Sequence, residues 1–330
     1  MRSSQVRRAR RSIPPHADEA APDGGSARAH RGTRAGHVVL VGLPNTGKST
    51  LLNSLVGERL SIVGARPQTT WQRVAGIRTE PGVQMILVDT PGILASGKLL
   101  HRSMMCEAHA AARDADVAIV VLDGTRTLAN DELLWLTEFA DGLRSPMALA
   151  VNKADDRRFD ASRRRALPSA IASDHHIVSA HLGTGIDSLL DFVRGHLPEG
   201  PFLYPEDHIA TAPTRFFVQE LVRESVFEIY RQEIPYAVSV AVEEFREDRE
   251  PLYISAALYV ERRSQKGMVI GKAGRGIRAL GSAARTRIEE FLGRRVYLDL
   301  WVRVWEGWRR NEKGLAKFGY AVPDDASKSR

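Results

Sequence analysis

Residues 41–50 read VGLPNTGKST and carry the glycine and lysine spacing of a P-loop. In such a loop, glycines let backbone N–H groups close around a β-phosphate, and the lysine reaches the β- and γ-phosphates. The serine after the lysine offers its hydroxyl to Mg²⁺. The segment follows an apolar run and opens a helical pattern, which is the context the motif requires. It predicts a nucleotide-binding loop made by Gly42, Asn45, Thr46, Gly47, Lys48, Ser49 and Thr50.

A second motif, DTPG at residues 89–92, ends another apolar run. There Asp89 can hold Mg²⁺ through water, and the Gly92 amide can meet the γ-phosphate. A strand followed by a proline-glycine turn would give the same letters without binding anything. The DTPG motif therefore indicates a nucleotide site only in combination with the P-loop motif.

The NKAD motif at residues 152–155 favours guanine over adenine. The Asp155 carboxylate can accept from two adjacent N–H donors on guanine, a pair that adenine lacks. Asn152 would brace the loop and contact the base, and the Lys153 stem would pack over the ring. From the SA pair, Ser179 and Ala180, a backbone N–H would reach the guanine carbonyl. In this order, each after a strand, the four motifs predict a site for GTP and GDP.

Hydrolysis needs an oriented water, and many GTPases use a glutamine directly after the DTPG glycine. Here that position is Ile93, so we expect slow intrinsic hydrolysis with Lys48 and Thr70 as catalytic residues. Thr70 is the favoured ligand from a loop that closes on Mg²⁺, and Thr69 is the alternative. Two β-branched residues entering a strand would be the purely structural interpretation. The predicted Mg²⁺ ligands are Ser49, Thr70 and Asp89.

A glycine-rich basic segment, KGMVIGKAGRGIRALG at residues 266–281, contains GxxG between a predicted apolar turn and a predicted helix. Such glycines let an RNA backbone approach closely, as in KH domains, which hold about four unpaired nucleotides. Residues 262–310 contain 13 basic and 4 acidic residues, whereas residues 201–261 contain 5 and 12. The alternative is a helix start with a solvated basic face. The predicted RNA-binding residues are Ile270, Gly271, Lys272, Ala273, Gly274, Arg275 and Arg278.

The elements that must position these motifs alternate along the first part of the chain. The runs HVVLVG, VQMILVD, DVAIVVLD and MALAVN are typical of strands buried on both faces of a parallel sheet, and QRVAGIRT of an edge strand. Helices are predicted between them at 48–57, 100–113, 130–141, 160–173 and 185–196. The alternation predicts an α/β P-loop GTPase domain, with a doubly wound and mostly parallel sheet, at 37–197.

Prolines then mark a predicted linker at 198–213, and a small α+β domain is predicted at 214–322. In this domain, Trp301, Trp305 and Trp308 recur at i, i+4 and i+7. This spacing favours core and C-terminal packing over the stacking of RNA bases. The predicted elements are a helix at 214–230, strands at 236–246 and 252–261, a helix at 276–292 and a strand at 296–305.

The 330 residues carry a net charge of +7 and a single cysteine, Cys106, which we expect to be a small buried apolar residue. No apolar run approaches the ~18 residues that span a bilayer, so we expect a soluble, cytoplasmic protein. Residues 1–36, with eight arginines, and residues 323–330 are predicted to be disordered. The N-terminal tail is solvated and able to touch RNA, or it is a transit peptide for a mitochondrion or plastid.

Together these motifs resemble the Era family of bacterial-type GTPases. The resemblance covers about residues 37–322 and adds YPED (204–207), LWVRVWEGW and FGY to the motifs above. It implies a type II KH domain and a ribosome-assembly factor that uses GTP, GDP and Mg²⁺. Its partners would be the 3′ end of small-subunit rRNA and the small ribosomal subunit, with peripheral association at the inner membrane. We expect a monomer that does not bind DNA.

Two positions refine this resemblance. Asn45 matches an asparagine that helps to bind potassium in related GTPases, so K⁺ is a candidate cofactor. Trp71 replaces the arginine that usually follows the threonine pair, which puts the contacts of that loop in doubt. The main competing function is a GTP-dependent signalling switch whose basic domain binds a protein or anionic lipid, and the GxxG motif argues against it. A tRNA-modification GTPase would need cofactor-binding domains that nothing in the sequence supplies.

Overall fold

The computed structural model describes residues 32–64, 69–92 and 98–322. Residues 1–31 of the predicted N-terminal tail, the predicted C-terminal tail and Ile93 lie outside these residues. Residues 34–36, which were predicted to be disordered, form the start of the first strand, Arg34–Val41. None of the described helices has the length and apolar character that crossing a membrane needs.

Within the described residues, the first domain is built on a six-stranded sheet. Its strands are β1 Arg34–Val41, β2 Val74–Glu80, β3 Val83–Asp89, β4 Val117–Asp123, β5 Met147–Asn152 and β6 His175–Ile177. They lie in the order β2-β3-β1-β4-β5-β6. The edge strand β2 is antiparallel to β3, and the other neighbours are parallel. The predicted edge strand and the mostly parallel sheet are confirmed.

Helices cover both faces of this sheet, which is why its central strands are almost continuously apolar. The helices of the described part of this domain are α1 Lys48–Val56, α2 Leu99–Arg113, α3 Asn130–Asp141, α4 Ser169–Ala172 and α5 Ile186–His196. Apolar residues of α1 and α5 pack on one face, and those of α2, α3 and α4 pack on the other. Because helices pack on both faces of the sheet, the domain has the doubly wound α/β fold that the sequence predicts.

Two predictions about this domain were wrong. The helix predicted at 160–173 is a 3₁₀ turn, Ala161–Ala166, followed by the short α4. Pro168 explains the break, because it disfavours helical backbone at the preceding residue, and Leu167 is extended. Cys106 is exposed rather than buried, because it lies outside the buried stripe of α2.

The second described domain packs helices on one face of a three-stranded sheet of order β7-β8-β9. β7 is antiparallel to β8, and β8 is parallel to β9. Its elements are α6 Thr214–Ile229, α7 Ile234–Ala237, β7 Ser239–Arg246, β8 Leu252–Val260, α8 Arg263–Ile270, α9 Arg275–Leu292, β9 Val296–Val304 and α10 Glu312–Lys317.

The segment before the GxxG glycines is a helix, α8, and not the predicted apolar turn. Its first turn is capped by Gln265, whose Oε1 accepts from the backbone N–H groups of Glu261 and Arg262, each at 3.0 Å. Gln265 and Val269, four residues apart, are both buried under the helix. Only these two side chains of α8 are buried, so the apolar period was too weak to predict it. β7 also begins three residues later than predicted, because α7 occupies the start of that segment.

Within the described parts of the chain, apolar residues of the two domains meet in two places: Phe217 of α6 packs into the first domain's core beside α1 and α5, and a separate cluster, which we call the interdomain cluster, lies beside α2. It joins Trp71 and α2 residues of the first domain to aromatic residues near the C-terminus of the second. Trp308 is fully buried there and donates from its Nε1 to the Ala237 carbonyl at 3.2 Å, as expected for core packing.

Trp301 is instead 56% exposed, so its predicted burial was wrong. Its neighbours Leu300 and Val302 pack in the core under the helices, so the alternation along β9 places Trp301 on the opposite face.

Candidate functional site

The P-loop connects β1 to α1, so the carboxyl end of a buried strand delivers the loop to a helix N-terminus. Lys48 is buried and folds back over the loop, where its Nζ donates to the carbonyls of Gly42 and Leu43 at 3.0 Å each. Gly47 has φ +95°, and a Cβ there would lie 2.4 Å from the Asn152 Nδ2. Glycine is therefore required at this position by both conformation and space.

A cavity of about 200 Å³ lies against this loop. Its lining includes Asn45, Gly47, Lys48, Ser49, Thr50 and Gly92. The two remaining predicted loop residues brace the loop instead, since Thr46 Oγ1 donates to the Leu43 carbonyl at 3.0 Å and Gly42 accepts from Lys48. The cavity thus has the backbone and lysine donors that a nucleotide phosphate needs.

The three predicted Mg²⁺ ligands converge beside the cavity. Ser49 Oγ donates to Asp89 Oδ2 at 2.6 Å, and Thr70 Oγ1 lies 2.9 Å from Ser49 Oγ and 3.2 Å from Asp89 Oδ2. Ser61, which the sequence analysis missed, donates to the same carboxylate oxygen at 3.2 Å. The second oxygen, Asp89 Oδ1, is buried without a hydrogen-bond partner. Hydroxyl and carboxylate oxygens with an unused lone pair fit Mg²⁺, which proteins usually bind through one or two carboxylates together with phosphates and water.

Burial governs the ionisation of this cluster. It raises the pKa of Asp89 although Lys48 and the surrounding hydroxyls favour the carboxylate. Burial also lowers the pKa of Lys48 to about 8, and the charge of Asp89 opposes that shift only in part. Lys48 and Asp89 compensate each other only in part, and a phosphate beside Lys48 with a divalent cation beside Asp89 would add the missing opposite charge. These perturbed pKa values therefore fit a site for a charged ligand.

Thr70 and Thr69 occupy different environments, although the sequence could not separate them. Thr70 is only 8% exposed, and its hydroxyl lies in the Ser49–Asp89 cluster. Thr69 is partly exposed, and its backbone carbonyl accepts from Arg223 of the second domain. The geometry therefore supports Thr70 as the ligand.

The residues of the NKAD and SA motifs gather at the ends of β5 and β6. Asn152 connects them to the P-loop, since its Nδ2 donates to the Thr46 carbonyl at 2.9 Å and its Oδ1 accepts from the Ala180 N–H at 3.0 Å. Ser179 Oγ donates to Asp155 Oδ1 at 2.5 Å and orients that carboxylate at the surface. Asn152 thus connects the loops after β5 and β6 to the P-loop.

Lys153 extends across the site to an acid that the sequence analysis did not single out. Its Nζ donates to Asp123 Oδ2, at the end of β4, at 2.7 Å. Burial alone would raise the pKa of Asp123, but hydrogen bonds from Lys153 and Thr125 outweigh it and lower that pKa. The ion pair holds the lysine stem over the loop, where the sequence predicts that it covers a base.

The GxxG loop lies between α8 and α9 on the second domain. Gly271 and Gly274 have φ values of +70° and +73°, so both need the freedom of glycine. Lys272 and Arg275 are exposed beside the loop. Arg278 donates from its Nη2 to the Ala273 carbonyl at 2.6 Å, so it also braces the loop, and Ile270 is half-buried at the end of α8. An open backbone with adjacent cations suits a sugar-phosphate strand.

Comparison with known families and structures agrees with a nucleotide site on the first domain and a GxxG loop on the second. Residues 37–153 match a family described as 50S ribosome-binding GTPase, and residues 233–309 match the KH domain family. The chain is 40% identical over 291 residues to GTPase Era of Geotalea uraniireducens, covering 87% of this chain and 98% of that protein. GTPase Era of Nitratidesulfovibrio vulgaris is also 40% identical, over 88% of this chain and 98% of its own length.

Two crystal structures are similar over 88% of this chain and all of theirs. A variant of Aquifex aeolicus Era bound to GDP·AlF₄⁻ matches with a TM-score of 0.81 and 33% identity. Era in complex with MgGDPNP and nucleotides 1506–1542 of 16S ribosomal RNA matches with a TM-score of 0.82 and 34% identity. Fold and site define a P-loop GTPase joined to a C-terminal KH domain. The chain belongs to the Era family of GTPases.

Proposed function

We propose that this protein binds and hydrolyses GTP, binds the 3′ end of small-subunit rRNA through its KH domain, and acts in small-subunit maturation. The observation that carries the proposal is the convergence of Ser49, Thr70 and Asp89 in a chain that also presents an open GxxG loop. Family membership over nearly the whole length supports both halves. The related Era bound to MgGDPNP and a 16S rRNA fragment supports the choice of partners.

In the GTPase reaction, Lys48 exchanges its two carbonyl partners for the β- and γ-phosphate oxygens. The P-loop N–H groups hold the β-phosphate, and Asp155 selects guanine. Ser49, Thr70 and Asp89 would hold Mg²⁺, which would supply positive charge to the phosphates. The chain offers no glutamine directly after Gly92, so we propose that its own side chains position water poorly and that intrinsic hydrolysis is slow.

Two measurements on the purified full chain test this proposal. The first is release of phosphate from GTP compared with ATP in the presence of Mg²⁺. The second is crosslinking to cellular RNA, with mapping of the bound nucleotides. Release from GTP alone, with crosslinks at the 3′ end of small-subunit rRNA, is the expected result. Equal turnover of ATP, or crosslinks scattered without preference, would contradict it.

The threonine assignment gives a direct comparison of two variants. Thr70→Ala removes a hydroxyl from the predicted Mg²⁺ site, so we expect the Mg²⁺ concentration for half-maximal hydrolysis to rise by at least about tenfold. Thr69→Ala retains the backbone carbonyl that accepts from Arg223, so the Mg²⁺ concentration for half-maximal hydrolysis should change less than about twofold. A magnesium titration of GTP turnover separates the two. A larger effect of Thr69→Ala would assign the ligand to Thr69.

We also propose potassium as an activator, because Asn45 lines the phosphate cavity at the position that the family resemblance assigns to K⁺. A second monovalent charge between the phosphates would add to the stabilisation that Lys48 supplies. Hydrolysis should be severalfold faster in potassium than in sodium buffer of equal ionic strength, and Asn45→Ala should abolish the difference. Equal rates for the parent protein would remove potassium from the mechanism.

For location, we propose a cytoplasmic monomer that does not bind DNA and associates peripherally with the inner membrane. The basic composition of residues 262–310 supports both an RNA partner and an acidic surface. Affinity for single-stranded RNA and for acidic vesicles, measured at matched salt, distinguishes the assembly factor from a signalling switch. Tighter binding to vesicles than to RNA would favour the signalling function.

A further inference from the structure

Arg223, on helix α6 of the KH domain, contacts the loop that carries the predicted magnesium ligand. We propose that it is a positioning residue for GTP hydrolysis, which holds Thr70 beside Ser49 and Asp89. The inference rests on the proposed GTPase function and adds that the KH domain completes the geometry of the GTPase site.

Arg223 is almost completely buried, with 2% exposure, at the junction of the two domains. Its Nη2 donates to the Thr69 carbonyl, and its guanidinium carbon lies 4.9 Å from the centroid of the Trp71 ring. The same guanidinium donates to both carboxylate oxygens of Glu220, at 2.9 and 2.6 Å, one turn earlier on α6. Arg223 therefore contacts the residues on both sides of Thr70.

A buried guanidinium is costly unless its donors are satisfied and its charge is paired. Glu220 pairs the charge, and Glu220 and the Thr69 carbonyl accept from Nε and Nη2 of Arg223, whereas its buried Nη1 has no hydrogen-bond partner among the described residues. The planar fork lets one side chain bind a carboxylate, donate to a carbonyl and stack on an aromatic ring at the same time. Glu220 fixes the orientation of the fork, so the fork in turn fixes the backbone at Thr69 and the ring of Trp71. With both neighbours held, the Thr70 hydroxyl is kept at its 2.9 Å distance from Ser49 Oγ.

This arrangement accounts for Trp71, the departure from the family pattern. Trp71 is buried in the interdomain cluster against Trp308 and Tyr320, so the loop that carries Thr70 packs on the KH domain through the Trp71 side chain. Any movement of α6 relative to the first domain would displace Thr70. Conversely, closing the loop on Mg²⁺ and the γ-phosphate would favour the position of α6 seen here, because coupling between two sites is reciprocal.

The test compares Arg223→Gln with Arg59→Gln in the full-length protein. Arg59 also bridges the domains, donating to Glu224 on α6 at 2.6 Å. Its side chain is 58% exposed, and among the described residues it makes no hydrogen bond or ion pair with residues 69–71. We expect Arg223→Gln to lower kcat for GTP by about tenfold or more and to weaken binding of MgGDPNP similarly. GDP affinity should be unchanged, because GDP lacks the γ-phosphate on which the loop closes. Arg59→Gln should change kcat, MgGDPNP affinity and GDP affinity by less than about twofold each.

A second variant, Arg223→Lys, keeps the test informative if Arg223→Gln does not fold, because lysine retains a positive charge beside Glu220 but lacks the planar guanidinium. It should fold and give a kcat between those of the parent and Arg223→Gln. Equal losses of GDP and MgGDPNP affinity in Arg223→Gln would show a merely structural role and overturn the inference. A kcat equal to that of the parent protein in both Arg223 variants would also overturn it. No turnover by the parent protein would instead count against the proposed function itself.

Discussion

Replacing Asp155 by asparagine is expected to move the nucleotide preference from guanine to xanthine. The carboxylate would accept from two N–H groups of guanine, and asparagine presents an NH₂ group to one of them. A lost charge-assisted hydrogen bond costs about 1.5–3 kcal/mol, so GTP affinity should fall by about tenfold to about a hundredfold. Xanthine carries a carbonyl where guanine has its amino group, and the asparagine amide can donate to it. Competition of GTP and XTP for a labelled nucleotide measures the change.

The neighbouring Asp156 provides the matched control. It pairs with Arg158 at 2.8 Å and has no part in the predicted base contacts. Asp156→Asn should therefore leave the preference for GTP over XTP unchanged. Ser179→Ala would remove the donor that orients Asp155, so GTP should bind more weakly while guanine remains preferred. A variant Asp155→Asn that still preferred GTP would place base recognition elsewhere in the protein.

The nucleotide site could be predicted from the sequence because its motifs are local. Each lies at the end of an apolar strand, and parallel strands bring their carboxyl ends to one edge of the sheet. Glycine spacing further specifies the P-loop, and the conformation of Gly47 shows why no other residue fits. Ser49, Asp89 and Asn152 were therefore predictable as neighbours although up to about a hundred positions separate them.

Contacts that depend on the placement of whole domains were not predictable in this way. Arg223 and Thr69 are 154 positions apart, and nothing in the sequence near α6 distinguishes a buried arginine from the exposed ones around it. Trp71 appeared only as a departure from the family pattern, because its partners come from the C-terminal end of the chain. Ser61 carries no motif, and only the packing of its loop brings it to Asp89.

The aromatic residues of β9 show a related limit. The spacing of the three tryptophans suggested one shared environment, but Trp301 lies on a strand and Trp308 follows it in a 3₁₀ turn. A helical period is meaningless across such a change of structure, because side chains alternate between faces along a strand. The period therefore predicted the burial of Trp308 correctly and that of Trp301 wrongly.

Replacing Gly271 by aspartate should abolish RNA binding while GTP affinity stays nearly unchanged. At φ +70° and ψ 171° the backbone is open almost only to glycine, and a Cβ would lie 2.9 Å from the Gly276 amide nitrogen. The loop must therefore distort, and the new carboxylate would repel the sugar-phosphate strand. GTP affinity should survive, because the P-loop and base-binding residues lie on the other domain. Titration of a labelled single-stranded RNA, beside a nucleotide titration, measures both effects.

Because strain at Gly271 can also damage the fold, Lys272→Glu provides an independent measure. Lys272 is exposed, so reversing its charge leaves the backbone intact while placing a carboxylate where a phosphate would bind. We expect RNA affinity to fall about tenfold or more and to depend less steeply on salt, since fewer cations meet phosphates. Lys313→Glu, an exposed charge reversal of the same size on α10, should have a smaller effect. If the two lysine variants lost RNA affinity equally, the chain's overall charge would explain binding, and the GxxG loop would lose its assignment as the RNA site.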